Sequence, residues 1–359
     1  MRVMLAIGLL GGGGSERKLL RFVERARHRV ELSGFLCNPG GVWDEAVSDC
    51  LARCYIGGGS RARKAVAFDQ AVLRERPALI HAWHTQALVY PLLAWPLHRR
   101  PMIVNVFGDL TRSSDDARRA LEPSARLLRF ASATVVNSDH LTESLQRAGV
   151  AVPRPTLIPN GIELPTLPAL PRGAAQGAGP GPLRLCGVGT LKALKNWEQA
   201  LRVAAALRAG GRDVRLTVYG DGPDGPALRA QAASLGFDAQ ATFPGFFPDV
   251  AQRLVDHDVL LHPSRSEGQP NAVLEGLAAG LPAVTADLGA YLPMHPNGAF
   301  LRTHAVDDDA GALAAIGPWL EDVAVRRVAG AAGRAFVAEH YGVEQMVDRF
   351  LDLYRSLAR

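Results

Sequence analysis

In HPSRSEGQPNAVLEGLAAGLPAVTAD, residues His262 to Asp287, an apolar strand ends at Pro263 and a polar loop follows. A helix then opens with Pro270 near its first position, and Gly280 closes it before the next strand. Strand, helix and strand in that order make a parallel pair joined by a crossover. The same order makes an anion site. The N–H groups around Asn271 to Val273 have no acceptor within the helix and lie at the positive end of its dipole, suited to a diphosphate. Glu267 precedes the helix, and Glu275 lies within it on the face of Asn271. From Pro270 to Glu275 the helix rises roughly 7.5 Å, about the distance from a phosphate to its ribose hydroxyls. One carboxylate is thus placed for a sugar and the other for a nucleoside. Glu275 alone reads as an ordinary helical glutamate; the pair, with Gly268, Pro270 and Gly280 around it, does not.

The grammar of this stretch repeats outward from it. Upstream lie LRLCGVG (183 to 189), a helix over Trp197 to Ala209, VRLTVYG (214 to 220), a helix over Ala227 to Leu235, ATFPG (241 to 245) and VLLHPS (259 to 264). The first half has strand candidates at Val3 to Leu10, Val30 to Phe35, Leu79 to Ala82, Met102 to Val106, Thr134 to Asn137 and Thr156 to Ile158, with room for helices between. This alternation predicts parallel α/β sheets. Between the halves, LPTLPALPRGAAQGAGPGP (164 to 182) is too rich in Pro, Gly and Ala for a regular element and reads as a linker. The expected domains are therefore 1–163 and 183–341. The closing VEQMVDRFLDLYRSL carries helical apolar spacing at Val343, Met346, Val347, Phe350, Leu351 and Tyr354, so 342–359 is expected to be an amphipathic helix returning to the first domain.

Composition narrows the class. A chain of 359 residues exceeds what one core usually serves, which agrees with two domains. With 48% hydrophobic residues and no run long enough to cross a bilayer, it reads as a soluble cytoplasmic protein. The opening MRVMLAIGLLGGGGSERK lacks a small-x-small cleavage site, and its apolar run is short, so it reads as a buried first strand and not as a signal peptide. Cys37, Cys50, Cys54 and Cys186 are scattered; Cys50 and Cys54 have helical spacing, but no second Cys or His pair completes a metal site. Charge is uneven. Residues 1–163 hold 22 Lys and Arg against 15 Asp and Glu, whereas 164–359 hold 18 against 20. The densest basic cluster is Arg17, Lys18, Arg21, Arg25, Arg27 and Arg29, threaded by Leu19, Leu20, Phe22 and Val23. Such a helix suits an anionic membrane surface or a phosphate-bearing acceptor, and equally an ordinary solvated face. Nucleic acid is disfavoured, because few aromatics interleave with the basic residues and no helix-turn-helix or zinc pattern appears.

The segment from His262 resembles the signature of the large retaining GT-B glycosyltransferase family numbered 4, whose hallmark is Glu, seven residues, then Glu. Further pieces resembling that family come in its order: GGGGSER (11 to 17), IPNGI (158 to 162), VGTLKALKNW (188 to 197), YGDGP (219 to 223) and FPGFFPDV (243 to 250). The resemblance implies two Rossmann-like domains facing each other across a cleft, with the acceptor on the N-terminal one and a nucleotide sugar on the C-terminal one. It implies that Glu267 contacts donor-sugar hydroxyls, that Glu275 binds the ribose, and that Gly268, Gln269, Pro270, Asn271 and Ala272 lie along the phosphates. Lys195 corresponds to the family lysine that neutralises the leaving diphosphate, a role that lowers the barrier because charge builds there as the glycosidic bond breaks. Gly13 and Gly14 resemble the glycine turn after the first strand.

Two positions depart from the family pattern. Thr190 stands where an arginine is usual, which shifts more of the diphosphate charge to Lys195; Lys192 reads as a solvent-facing lysine. Phe107 stands where a histidine usually meets the donor sugar, leaving Asp109 or His84 as substitutes, while His81 and His84 also fit buried, hydrogen-bonded core histidines. The resemblance implies retention by front-face attack, with leaving-group phosphate taking the acceptor proton and Glu267 positioning the sugar. A glycosidase-like reading of the two acids needs them across the scissile bond. No metal or other cofactor is expected. The triplet DHD (256 to 258) sits before a strand, where capping suffices, and Asp307 to Asp309 reads as a loop. The expected reaction moves a hexose or N-acetylhexosamine from a UDP-sugar, or a GDP-sugar, to a glycan or lipid-linked acceptor in cell-surface polysaccharide or lipopolysaccharide synthesis. A non-catalytic nucleotide-sugar-binding protein, or an epimerase or phosphorylase on the same fold, stands as the alternative.

Overall fold

Short aliphatic runs become the central strands here because their side chains are buried on both faces of the sheet, which is how parallel sheets are built. The computed structural model describes residues 1–11, 14–107, 125–167, 181–294 and 298–358. They divide into two units, Met1–Gly161 with Val343–Arg359, and Ile162–Gly342.

The first unit holds a seven-stranded sheet in the order β3-β2-β1-β4-β5-β6-β7. Its strands are β1 (Arg2–Ile7), β2 (Glu31–Leu36), β3 (Arg53–Ile56), β4 (Leu79–Ala82), β5 (Met102–Val106), β6 (Ala133–Val136) and β7 (Pro155–Leu157). All pairs are parallel, with Val3 opposite Leu32 on one side and Leu79 on the other. Because β1 lies between β2 and β4, the strand order reverses beside its carboxyl end, the place where such sheets open a crevice. Of these strands β3 was not anticipated: RCYI is half exposed at the sheet edge, and Cys54 sits in it and not on a helix. Only its pairing with β2 makes it a strand.

The helix Val343–Leu357 packs in this unit. Met346, Val347, Phe350, Leu351 and Tyr354 are buried with Phe22 and Trp83, and Phe350 lies 5.0 Å from the Phe22 ring and 5.6 Å from Trp83 by centroid. His81, fully buried, joins helix to sheet: its Nδ1 accepts from the Tyr354 hydroxyl at 2.7 Å, and its Nε2 donates to Asn105 Oδ1 at 3.0 Å. Burial pushes the His81 pKa down to about 3, so the ring is neutral and structural.

The basic segment is a helix only over Gly14–Ala26, and its cations are not a free surface. Arg21 donates to the Gly161 carbonyl at 3.1 Å, and Arg29 reaches Asp348 at 2.5 Å. Arg25 and Arg29 stand 3.9 and 3.8 Å from Glu344. The closing helix thus supplies acids to the stripe that the sequence left open to a membrane. Lys18 was expected on that stripe but is 1% exposed, donating to the Ile158 carbonyl at 3.2 Å with the Phe107 and Phe350 rings 5.4 and 5.2 Å away. Helical periodicity turns it inward with Phe22. Desolvation lowers its pKa from 10.5 to about 7. Between those values the unfolded chain holds a proton that the folded chain does not, so stability rises with pH across that window. Lys18→Met is expected to abolish that rise, read as urea midpoints from pH 7 to about 10; an unchanged slope would assign the proton elsewhere.

The second unit holds a six-stranded parallel sheet, β10-β9-β8-β11-β12-β13. Its strands are β8 (Leu183–Val188), β9 (Val214–Tyr219), β10 (Ala241–Gly245), β11 (Val259–His262), β12 (Ala283–Ala286) and β13 (Leu301–His304). Helices run over Trp197–Ala209, Gly225–Ser234 and Asn271–Ala278, the last with Pro270 as its N-cap. The edge strand β13 was also not anticipated, since LRTH has too little apolar content to signal itself. Strand order reverses between β8 and its neighbours β9 and β11, so the carboxyl ends of β8 and β11 mark this unit's crevice. Asp258 of the DHD triplet is a clamp between those two strands, taking the Arg184 backbone N–H at 2.8 Å and its guanidinium at 3.1 and 3.2 Å. Asp308 caps the helix Asp309–Ile316, and Asp309 pairs with Arg202.

Candidate active site

Two loops meet at the reversal point of the second sheet. One leaves β8 through Gly189 and reaches Lys195, and the other leaves β11 at His262 and reaches the helix start at Asn271. The first loop is held from below by the YGDGP turn. A Cβ at Gly220 would stand 2.0 Å from the Gly189 carbonyl oxygen, and one at Gly222 would stand 2.3 Å from that of Leu191. Those glycines therefore serve backbone packing. Trp197 closes the loop by donating its indole N–H to the Thr190 carbonyl at 3.0 Å. The Thr190 residue is exposed, as is Lys192.

Arg265 ties this loop to the second. It donates to the Ala193 carbonyl at 2.6 Å, to Asn196 Oδ1 at 2.8 Å and to Asp307 Oδ1 at 2.7 Å, while Asn196 Nδ2 donates to Asp307 at 2.9 Å and to the Pro263 carbonyl at 3.2 Å. Its guanidinium is paired with the Asp307 carboxylate. Asn196 takes a left-handed conformation, φ 56°, which its short amide tolerates and which aims the chain into the next helix. No spacing rule signalled this Arg265, Asn196 and Asp307 cluster.

At the mouth of the two loops Lys195 Nζ and His262 Nε2 both reach Glu267 Oε1, the histidine at 2.7 Å. Glu267 is 10% exposed and Lys195 21%. Burial alone would raise the Glu267 pKa; the Lys195 charge and the His262 hydrogen bond outweigh it and hold the carboxyl at about 2. Burial lowers the His262 pKa, so a neutral imidazole donates through Nε2 to a carboxylate that can only accept. The Tyr291 hydroxyl is also buried here, its pKa raised by burial and then by the Glu267 charge, and it has no hydrogen-bond partner among the described residues.

From Glu267 the chain passes through Gly268, then buried Gln269 and Pro270, to the helix Asn271–Ala278. Among the described residues no side-chain hydrogen bond caps that helix; the Asn271 N–H turns back to the Gln269 carbonyl at 2.9 Å, and Ala272 follows it in the first turn. Glu275 is 4% exposed within the helix. The structure thus gathers Lys195, Glu267 to Ala272 and Glu275 on adjoining elements of one unit. Gly14 belongs to the other unit, where it opens the helix Gly14–Ala26; Gly13 and Asp109 lie outside the described residues. In the first unit, at its own reversal point, His84 Nε2 stands 3.7 Å from Glu16, and Phe107 packs edge-on to the His84 ring at 5.9 Å. Among the described residues no group of three His, Cys, Asp or Glu could hold a metal ion. Sequence reasoning missed His262; its place directly before Pro263 at a strand end, five residues from Glu267, was the available signal.

Comparison with known proteins matches both halves. Residues 12–165 match the model described as Glycosyltransferase Family 4, and residues 182–321 the model described as Glycosyl transferases group 1. EpsF of Bacillus subtilis is 27% identical over 216 residues, covering 55% of this chain and 52% of EpsF. The GDP-mannose-dependent alpha-(1-6)-phosphatidylinositol dimannoside mannosyltransferase of Mycobacterium tuberculosis is 32% identical over 163 residues, covering 44% of this chain and 39% of that protein. The chain therefore spans about half the length, or less, of these curated relatives. Among solved structures, HepE of Anabaena in complex with UDP-glucose superposes with a TM-score of 0.83 at 20% identity, over 99% of this chain and 100% of that one.

Proposed function

We propose, from the premise that this chain is a glycosyltransferase of the GT-B type, that it moves a hexose or N-acetylhexosamine from a nucleotide sugar to a hydroxyl of a glycan or lipid-linked acceptor, with retention at the anomeric carbon and without a metal ion. The observation that carries this reading is the Lys195 and Glu267 pair beside an uncapped helix start at the reversal point of a parallel sheet. The diphosphate takes the Lys195 ammonium and lies along the helix start at Ala272, beside the Asn271 side chain. Glu275 takes the ribose hydroxyls and Glu267 those of the sugar. As the anomeric C–O bond breaks, Lys195 compensates the charge gained by the phosphate oxygen, and that oxygen takes the acceptor's proton as the new C–O bond forms on the same face.

A UDP-sugar is favoured over a GDP-sugar, which accords with the likeness to HepE, a protein seen with UDP-glucose. The acceptor is assigned to the first unit, near Glu16 and His84. No described helix is long and apolar enough to cross a membrane; work on a lipid-linked acceptor at the inner face of a cell membrane is part of the proposal. Thermal shift against a panel of UDP- and GDP-sugars identifies the donor, since ligands of the folded state raise the apparent midpoint. Transfer is then measured with and without EDTA, and the anomeric configuration of the product is read by NMR. Activity is expected to survive chelation with the donor's configuration kept; an inverted product, or loss with EDTA restored by Mn²⁺ or Mg²⁺, would overturn that part of the reading.

A further inference from the structure

His262 has no part in the donor contacts assigned above, yet it shares an oxygen with the residue at their centre. Glu267 Oε1 receives both the Lys195 ammonium and the His262 Nε2–H. The function proposed above requires the ammonium to turn toward the donor diphosphate. A carboxylate only 10% exposed would then lose its counter-charge, and a buried, unpaired carboxylate is costly enough to move or take a proton. We propose that His262 is a positioning residue, holding the Glu267 carboxylate in place and ionised when Lys195 leaves it for the phosphates. The inference rests on the donor-site reading.

His262 is suited to this because it cannot follow the ligand. It is 1% exposed, closes β11 opposite Thr285 of β12, and meets the Trp197 ring edge-on at 6.0 Å. Its protonation is set from one side only. Burial keeps the imidazole neutral, the carboxylate demands the proton on Nε2, and Nδ1 has no hydrogen-bond partner among the described residues. A histidine kept merely to fill the core would have no reason to adopt that tautomer, which leaves a buried acceptor unsatisfied.

The test uses the full chain with His262→Gln, which keeps an N–H donor near the Nε2 position, and His262→Leu, which fills volume without one. Turnover and KM for the donor, UDP affinity by calorimetry, and the 15N imidazole shifts of His262 are measured together. His262→Leu is expected to lose about 10- to 100-fold in kcat, with UDP affinity within about threefold of wild type, and His262→Gln to recover most of the loss. The wild-type ring is expected in the neutral Nε2–H form at pH 7 to 8, and in a mixture of tautomers in Glu267→Ala. Equal loss in Gln and Leu variants, a Leu variant with wild-type turnover, or a wild-type ring in the Nδ1–H form would each overturn the proposal. Should the wild type transfer sugar from no nucleotide donor, the function reading fails on its own. The tautomer then still decides whether His262 holds Glu267.

Discussion

Lys195→Met is expected to lower turnover with the true donor by about 100- to 1000-fold, the usual scale for removing one preorganised group that meets developing charge. The methionine keeps the length and apolar stem of the side chain and removes only the ammonium. Among the described residues of the two loops, no cation replaces it. Thr190 is uncharged, Lys192 is exposed, and Arg265 is committed to Asp307, Asn196 and the Ala193 carbonyl. UDP affinity should fall less than kcat, because most of the charge on the leaving group appears only as the bond breaks. The same variant carries a pH signature. In the wild type Glu267 has its pKa depressed from 4.5 to about 2, so its stabilising contribution is present above 4.5 and is lost as pH falls toward 2. Without Lys195 the first cause of that depression is gone. The stability gap between wild type and variant should therefore be widest above pH 4.5 and close on acidification. Steady-state kinetics and denaturant midpoints from pH 3 to 8 read both effects; a kcat within threefold of wild type would remove Lys195 from the chemistry.

Phe350→Ala should cost about 3 to 5 kcal/mol in the unfolding of the first unit, the range for deleting a fully buried aromatic. The ring meets four ring partners, Phe22 of the helix Gly14–Ala26, His81 of β4, Trp83 just after it, and Tyr354 of its own helix. Its removal also loosens the cover over the Tyr354, His81 and Asn105 chain of hydrogen bonds. Thermal unfolding should show the first unit's transition lowered by about 6 to 20 °C, at roughly 2 to 4 °C per kcal/mol for a unit of this size. A loss below about 1 kcal/mol would mean that the closing helix is an appendage and not part of this core.

That helix illustrates where legibility ends. Its apolar stripe was readable, because the positions of Val343 to Tyr354 follow the helical period regardless of what covers them. The helix Trp197–Ala209 came out with its bounds unchanged for the same reason, aided by the turn residues on both sides. Edge strands β3 and β13 did not come out, since a four-residue run of mixed polarity becomes a strand only when a neighbour offers its hydrogen bonds.

What is local can be read from the residues alone: the alternation of strand and helix, the loop and helix start from Glu267 to Ala272, and the spacing of Glu267 and Glu275. What those groups meet follows from how the chain folds back on itself. Lys18 and Arg21 are neighbours on one helix, yet the first is sealed beneath Phe107 and Phe350 and the second reaches a carbonyl at 3.1 Å. Lys195 and Glu267, 72 positions apart, share an oxygen with His262. Charge and burial act through space at a few ångströms and decay with distance and solvent, so the protonation and partners of these groups follow from chain crossings that local periodicity does not encode.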